Sequence, residues 1–123
     1  MGELIYPQLS YKIVGILYEV YNKLGYGYQE KYYQRALEKY FQINHISYKK
    51  ELVCPLKIVE KSIGNYRLDY LIDDKIVLEL KVANEIYPKH INQILGYLKH
   101  NNKKLGIIAV FSKNGILTKR IVN

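Results

Sequence analysis

The stretch Arg67-Leu68-Asp69-Tyr70-Leu71-Ile72-Asp73-Asp74-Lys75-Ile76-Val77-Leu78-Glu79-Leu80-Lys81-Val82 decides the fold. Two runs, 66–72 and 76–82, alternate with the period of two that marks β-strands, and the polar Asp73-Asp74 separates them. In the first run Arg67, Asp69 and Leu71 point away from Leu68, Tyr70 and Ile72. In the second, Val77, Glu79 and Lys81 point away from Ile76, Leu78, Leu80 and Val82. Burying the two apolar faces together sets the parity of the pairing, with Ile72 beside Ile76 and Leu68 beside Leu80. A loop of Asp73-Asp74-Lys75 satisfies it and sets residue 69 opposite 79 and 67 opposite 81.

Asp69 and Glu79 then become cross-strand neighbours, about 5 Å apart at Cβ, with Lys81 on the same face. Like charges so placed destabilise a sheet unless a cation lies between them. Mg²⁺ would serve, because it takes oxygen ligands and is commonly held by one or two carboxylates completed by water and phosphate. Lys81 would add charge stabilisation at a phosphate. The same four residues, Arg67, Asp69, Glu79 and Lys81, also permit a plain solvent-facing ladder of salt bridges.

Outward from this hairpin, Leu9, Ile13, Leu17 (or Ile16), Val20 and Leu24 recur at helical spacing, with Ser10 as N-cap and Gly25 as stop. A second helix follows Gly27 and runs to about Phe41 on a stripe of Tyr33, Leu37, Tyr40 and Phe41. Glu30 continues that stripe inward, although a carboxylate in a first turn also suits the helix dipole. Residues 48–53 and 56–60 read as one strand bent at Pro55, and Ser62-Ile63-Gly64-Asn65 as a turn. A third helix starts near Pro88 and carries Ile91, Leu95 (or Ile94) and Leu98. Gln93 and Tyr97, at i and i+4, flank its stripe, either half-buried or aimed at a phosphate. Leu105–Phe111 is a buried strand, Asn114-Gly115 a turn and Ile116–Val122 a last strand. The order α-α-β-β-β-α-β-β implies one α/β (α+β) domain over residues 1–123 with a mixed sheet covered by helices.

Composition excludes several classes. The 123 residues suit one core, and no apolar run is long enough to span a membrane. The N-terminal residues lack the pattern of an export signal, which implies a cytoplasmic protein. One cysteine, Cys54, cannot form an internal disulfide, and His45, His90 and His100 show no zinc spacing with it. No Gly-rich phosphate loop or nucleophile elbow is present. The net charge of +8 is uneven: residues 86–123 hold Lys89, Lys99, Lys103, Lys104, Lys113, Lys119 and Arg120 and no acid. That asymmetry points to a polyanion, and a lysine-rich coding bias would produce it too. The fourteen tyrosines supply rings with a hydrogen-bonding tip.

With these residues in place, the chain resembles a known family. Leu24-Gly25-Tyr26-Gly27-Tyr28-Gln29-Glu30-Lys31-Tyr32-Tyr33 is similar to the signature of the GxxExxY proteins of the PD-(D/E)XK nuclease-like superfamily. Arg67-Leu68-Asp69-Tyr70 with Glu79-Leu80-Lys81 resembles the superfamily's bipartite acidic motif, and Gln93 to Tyr97 its QxxxY helix motif. Leu68 stands where the motif's name has proline, and Tyr21 where relatives often carry histidine. The resemblance implies a restriction-endonuclease-like αβββαβ core. It also implies Mg²⁺ (or Mn²⁺) held by Asp69 and Glu79 with Glu30, Lys81 at the attacking water, and Gln93, Tyr97, Tyr33 and Arg67 in support. The implied activity is metal-dependent hydrolysis of phosphodiester bonds, with DNA ahead of RNA. The alternative is a nuclease-like module that binds nucleic acid or a partner without cutting. The tyrosine-rich surface would also allow a homodimer.

Overall fold

The computed structural model describes residues 4–123; residues 1–3, part of the N-terminal stretch read above for an export signal, lie outside it. Helices α1 (Pro7–Leu24) and α2 (Glu30–Ile43) precede strands β1 (Tyr48–Ile58), β2 (Lys61–Ile72) and β3 (Ile76–Val82). Helix α3 (Pro88–His100) then leads to β4 (Leu105–Ser112) and β5 (Gly115–Val122). The five strands form one sheet in the order β1-β2-β3-β4-β5. Among the described residues only β3 and β4 pair in parallel, and α3 is the crossover between them.

The sheet has a helical layer on each face. Ile13, Ile16, Leu17 and Val20 of α1 and Tyr33, Leu37 and Phe41 of α2 pack on Tyr70, Ile72, Ile76, Leu78 and Leu80. Ile94 and Leu98 of α3 pack on the other face, against Leu68, Leu71, Val77, Ile108 and Val110. Buried on both sides, β4 has no exposed residue, which is why residues 105–111 are an unbroken apolar run. Gly106 lets α3 approach: a Cβ there would collide with the Ile94 side chain and reach Leu98 and the Val77 carbonyl. Gly106→Ala is therefore expected to lower stability by roughly 1–3 kcal/mol through overpacking, read as a fall in the melting temperature. An unchanged melt would mean that α3 can move off the sheet at no cost.

Three expectations change. Helix α1 begins at Pro7 after a left-handed Tyr6, so Ser10 is not its N-cap; its buried hydroxyl donates to the Pro7 carbonyl and accepts from Arg120. Proline suits the first turn because its missing N–H has no helical partner there. The Ser62–Asn65 turn is absent. That segment lies inside β2, and the chain reverses at Val59-Glu60, both left-handed as a two-residue hairpin of type I′ requires. Finally, Leu68 packs with α3 although Tyr70 and Ile72 face α1 and α2, so Leu68 is not on the face of Leu80. The alternation slips at Asp69, opposite a left-handed Glu51 that breaks the regular pairing of β1 with β2.

Candidate functional site

The three-residue loop at 73–75 sets the expected register, with Ile72 opposite Ile76 and Tyr70 opposite Leu78. The backbone ladder ends there. Beyond it, side chains replace the main-chain bonds. Asp69 N–H donates to Glu79 Oε1 at 3.0 Å, and Leu80 N–H donates to Asp69 Oδ2 at 2.8 Å. Each carboxylate thus caps an amide that the parting strands leave free. Residues 67 and 81 do not join the ladder; Arg67 is exposed and faces Glu51 at 3.6 Å.

Glu79 is 1% exposed, so a solvent-facing ladder of salt bridges is not what forms. Burial pushes its carboxyl up to about 8, and the charge of Asp69 and a hydrogen bond with it push the same way, against Lys81 and the Asp69 amide. Lys81 Nζ lies 3.6 Å from Glu79 Oε2. Glu30, at the first position of α2, points inward as its phase implied. Burial raises its carboxyl, Lys81 lowers it, Asp69 raises it and the Val82 amide lowers it. Asp69, Glu79, Lys81 and Glu30 therefore form one electrostatic unit where β2 and β3 part.

Two neighbours were not singled out by sequence. Gln34, one turn after Glu30, donates to Asp69 Oδ1 at 3.2 Å, and its i+4 spacing from Glu30 was the available signal. His90, in the first turn of α3, is held low by burial and by the charges of Lys81 and Lys89, and its buried Nδ1 has no hydrogen-bond partner among the described residues. No sequence pattern marks it, because its relation to Lys81 arises only when α3 folds back over the sheet.

The remaining expected residues stand differently. Tyr33 is buried; its hydroxyl donates to the Gly25 carbonyl at 2.6 Å and accepts the Tyr28 N–H at 3.3 Å, which pins the loop before α2. Gln93 accepts a hydrogen bond from the Tyr66 hydroxyl at its backbone carbonyl. Tyr97 lines a cleft of about 400 Å³ with Cys54, Tyr66 and His100. Neither Gln93 nor Tyr97 bonds to Asp69, Glu79 or Lys81. Asp69 instead opens on a smaller cleft of about 230 Å³ shared with Gln34, Lys50 and Arg67.

Two of the basic residues after position 85 are engaged within the fold. Lys103 pairs with Asp74 at 3.1 Å, and Arg120 ties Ser10 and the Ile5 carbonyl to β5. Lys103 and Lys104 precede Leu105, which sits beside Ile76, whereas Lys81 sits beside Val110. Glu79 sits beside Ile108, so Lys104 is four residues, roughly 13 Å along the strand, from the position opposite that carboxylate. Among the described residues, no helix is long and apolar enough to cross a membrane.

Oxygen donors alone suit a hard cation. Among the described residues no group of three or more His, Cys, Asp or Glu is gathered into a metal cluster. Two carboxylates leave places for water and phosphate, which is how Mg²⁺ is commonly held, so the residues fit that ion.

Comparison with known proteins agrees on the architecture. No curated protein matches the chain. Among solved structures, SSO0001 superposes with a TM-score of 0.57 at 19% identity, over 96% of this chain and 60% of that one. The chain thus spans about 60% of the length of SSO0001. The alkaline exonuclease LHK-Exo from Laribacter hongkongensis superposes with a TM-score of 0.53 at 12% identity, over all of this chain and 72% of that one. At such identities the likeness is one of fold. The family model for the PD-(D/E)XK nuclease superfamily matches residues 7–121, from the first turn of α1 into the end of β5. That span takes in the parted hairpin with its two acids and lysine, and the chain belongs to the PD-(D/E)XK nuclease superfamily.

Proposed function

We propose that the protein is a nuclease that hydrolyses phosphodiester bonds with Mg²⁺ or Mn²⁺, acting on DNA ahead of RNA. The observation that carries this reading is the buried Glu79, held beside Asp69 and within 3.6 Å of Lys81. A fold gains nothing from an ionised carboxylate so placed, and perturbed carboxyls of this kind cluster at functional sites. Asp69 and Glu79 would hold the ion. When bound, it acidifies water and neutralises charge on the phosphate. Lys81 donates its N–H groups to a phosphate oxygen as negative charge grows there. Glu30, raised by burial, would take up the proton that the attacking water gives away. Gln34 holds Asp69 in orientation from α2.

The finer kinship with the GxxExxY proteins has physical support in three places. Gly27 is left-handed at φ 118°, Tyr33 closes the loop that Gly27 turns, and Glu30 starts the helix facing Lys81. Asp69→Asn is expected to lower cutting of DNA at least about 10³-fold with Mg²⁺ while leaving binding in EDTA intact. If the wild type cuts neither DNA nor RNA with either metal yet binds them, the non-cutting module is the correct reading.

A further inference from the structure

The segment leading into α2 holds a surface that hydrolysis does not use. Tyr28 and Tyr32 are 48% and 43% exposed, and their rings meet edge to face at 6.4 Å. Lys31 Nζ lies 5.2 Å and the Arg35 guanidinium 5.5 Å from the centre of the Tyr32 ring. The platform is held from below. Tyr28 packs edge-on against the buried Tyr33 at 6.1 Å, and its N–H reaches the hydroxyl that pins Gly25. Across the site, at the start of α3, Tyr87 is 41% exposed and lies edge-on to His90 at 6.1 Å, next to Lys89. Lys81 is felt from both sides, by Glu30 on α2 and by His90 on α3.

We infer that Tyr28 and Tyr32, with Lys31 and Arg35, form a stacking platform for unpaired bases, so that the substrate is presented to the carboxylates as a single strand. The inference rests on the nuclease reading for what happens at the carboxylates, though not for the binding itself. Exposed rings flanked by cations suit a single strand because every unpaired base offers a π-face while the cations meet its phosphates. A duplex keeps its bases stacked on one another and would use only the cations. Lys31 and Arg35, at i and i+4 on one face of α2, both lie within 5.5 Å of the centre of the Tyr32 ring, so a strand that meets the ring has cations at hand for its phosphates. Tyr32 and Glu30 share the first turn of α2, which puts the platform on the same helix as the acid that faces Lys81.

The test is fluorescence anisotropy of the full chain in EDTA with a labelled oligothymidylate and with a labelled blunt duplex. Tyr28→Ala and Tyr32→Ala are each expected to weaken binding of the single strand about tenfold and to leave duplex binding within twofold. Tyr32→Phe should bind like the wild type, since stacking needs the ring and not the hydroxyl. Lys31→Ala with Arg35→Ala should weaken both ligands and flatten their salt dependence. Tyr28 braces the loop, so circular dichroism accompanies that variant; Tyr32 faces outward, and its result stands by itself. Single-strand binding unchanged in Tyr32→Ala, or an equal loss for the duplex, overturns the platform. A wild type that cuts nothing but binds single strands through these tyrosines keeps the platform and removes the nuclease reading.

Discussion

Glu79→Gln is expected to abolish cleavage and, in the same protein, to raise the melting temperature above neutral pH. The two effects have one cause. Glu79 is buried beside Asp69, and its carboxyl rises from 4.5 in the unfolded chain to about 8 in the fold. Between those values the native state holds a proton that the unfolded state has lost. Stability contributed by this group is therefore complete below about 4.5, falls as pH rises, and is gone above about 8. A shift of that size corresponds to a few kcal/mol, an order-of-magnitude figure for so close a pair of acids. Glutamine removes the charge and keeps an oxygen to accept the Asp69 N–H. In EDTA at pH 8.5 the variant should melt on the order of 5 °C above the wild type, and at pH 5 the two should nearly coincide. On the proposed reading cleavage should fall at least about 10³-fold, because one of the two carboxylates that would hold the metal is lost. A melting gain of equal size at both pH values would place the effect in packing rather than ionisation.

Why the hairpin was legible in the sequence while its surroundings were not follows from where the information lies. Asp73-Asp74-Lys75 is short and polar between two apolar runs, so the register of Ile72 with Ile76 is set locally. Parity then carries Asp69 to Glu79 with no knowledge of the rest of the chain. The same parity argument fails for Leu68, because the pairing with β1 is interrupted at Glu51, whose left-handed backbone no residue-type rule foretells. Gly64 and Asn65 look like a turn, yet Val59 and Glu60 make it, and Val59 is 88% exposed there. A β-branched residue in a left-handed conformation is held there by the pairing around it, not by its own preference. Glu30 was legible because helix phase is local. Gln34 and His90 were not, since each acquires its neighbour only across layers: Gln34 through α2 on the sheet, His90 through α3 folding back toward Lys81. The charge count pointed to a polyanion without giving positions, for a related reason. Net charge is blind to pairing, and Lys103 and Arg120 are already engaged by Asp74 and by Ser10 with Ile5.

Lys81→Met should also destroy activity, but with the opposite signature in stability. Methionine keeps much of the aliphatic stem and removes the cation that lowers the carboxyls of both Glu79 and Glu30. Without it both acids move further up, so Glu79 stays protonated past pH 8 and a metal must displace a proton over the whole neutral range. Cleavage at pH 7.5 is expected to fall roughly 10²–10³-fold, the scale of losing one charge stabiliser at a phosphate. Part of the loss should return toward pH 9, where the acids ionise again. The metal-free variant should melt close to the wild type at pH 5, because Glu79 carries its proton in both proteins. At pH 9 it should melt below the wild type, because two neighbouring carboxylates are then charged without the lysine that lay 3.6 Å from one of them. Two cleavage-impaired variants two residues apart in β3 would thus move the melting temperature in opposite directions at high pH and hardly at all at low pH. Packing alone cannot produce that pair, since loss of packing would lower both melts at every pH. If Glu79→Gln and Lys81→Met shift together, the acids are not charged in the metal-free fold, and the electrostatic account of the site fails.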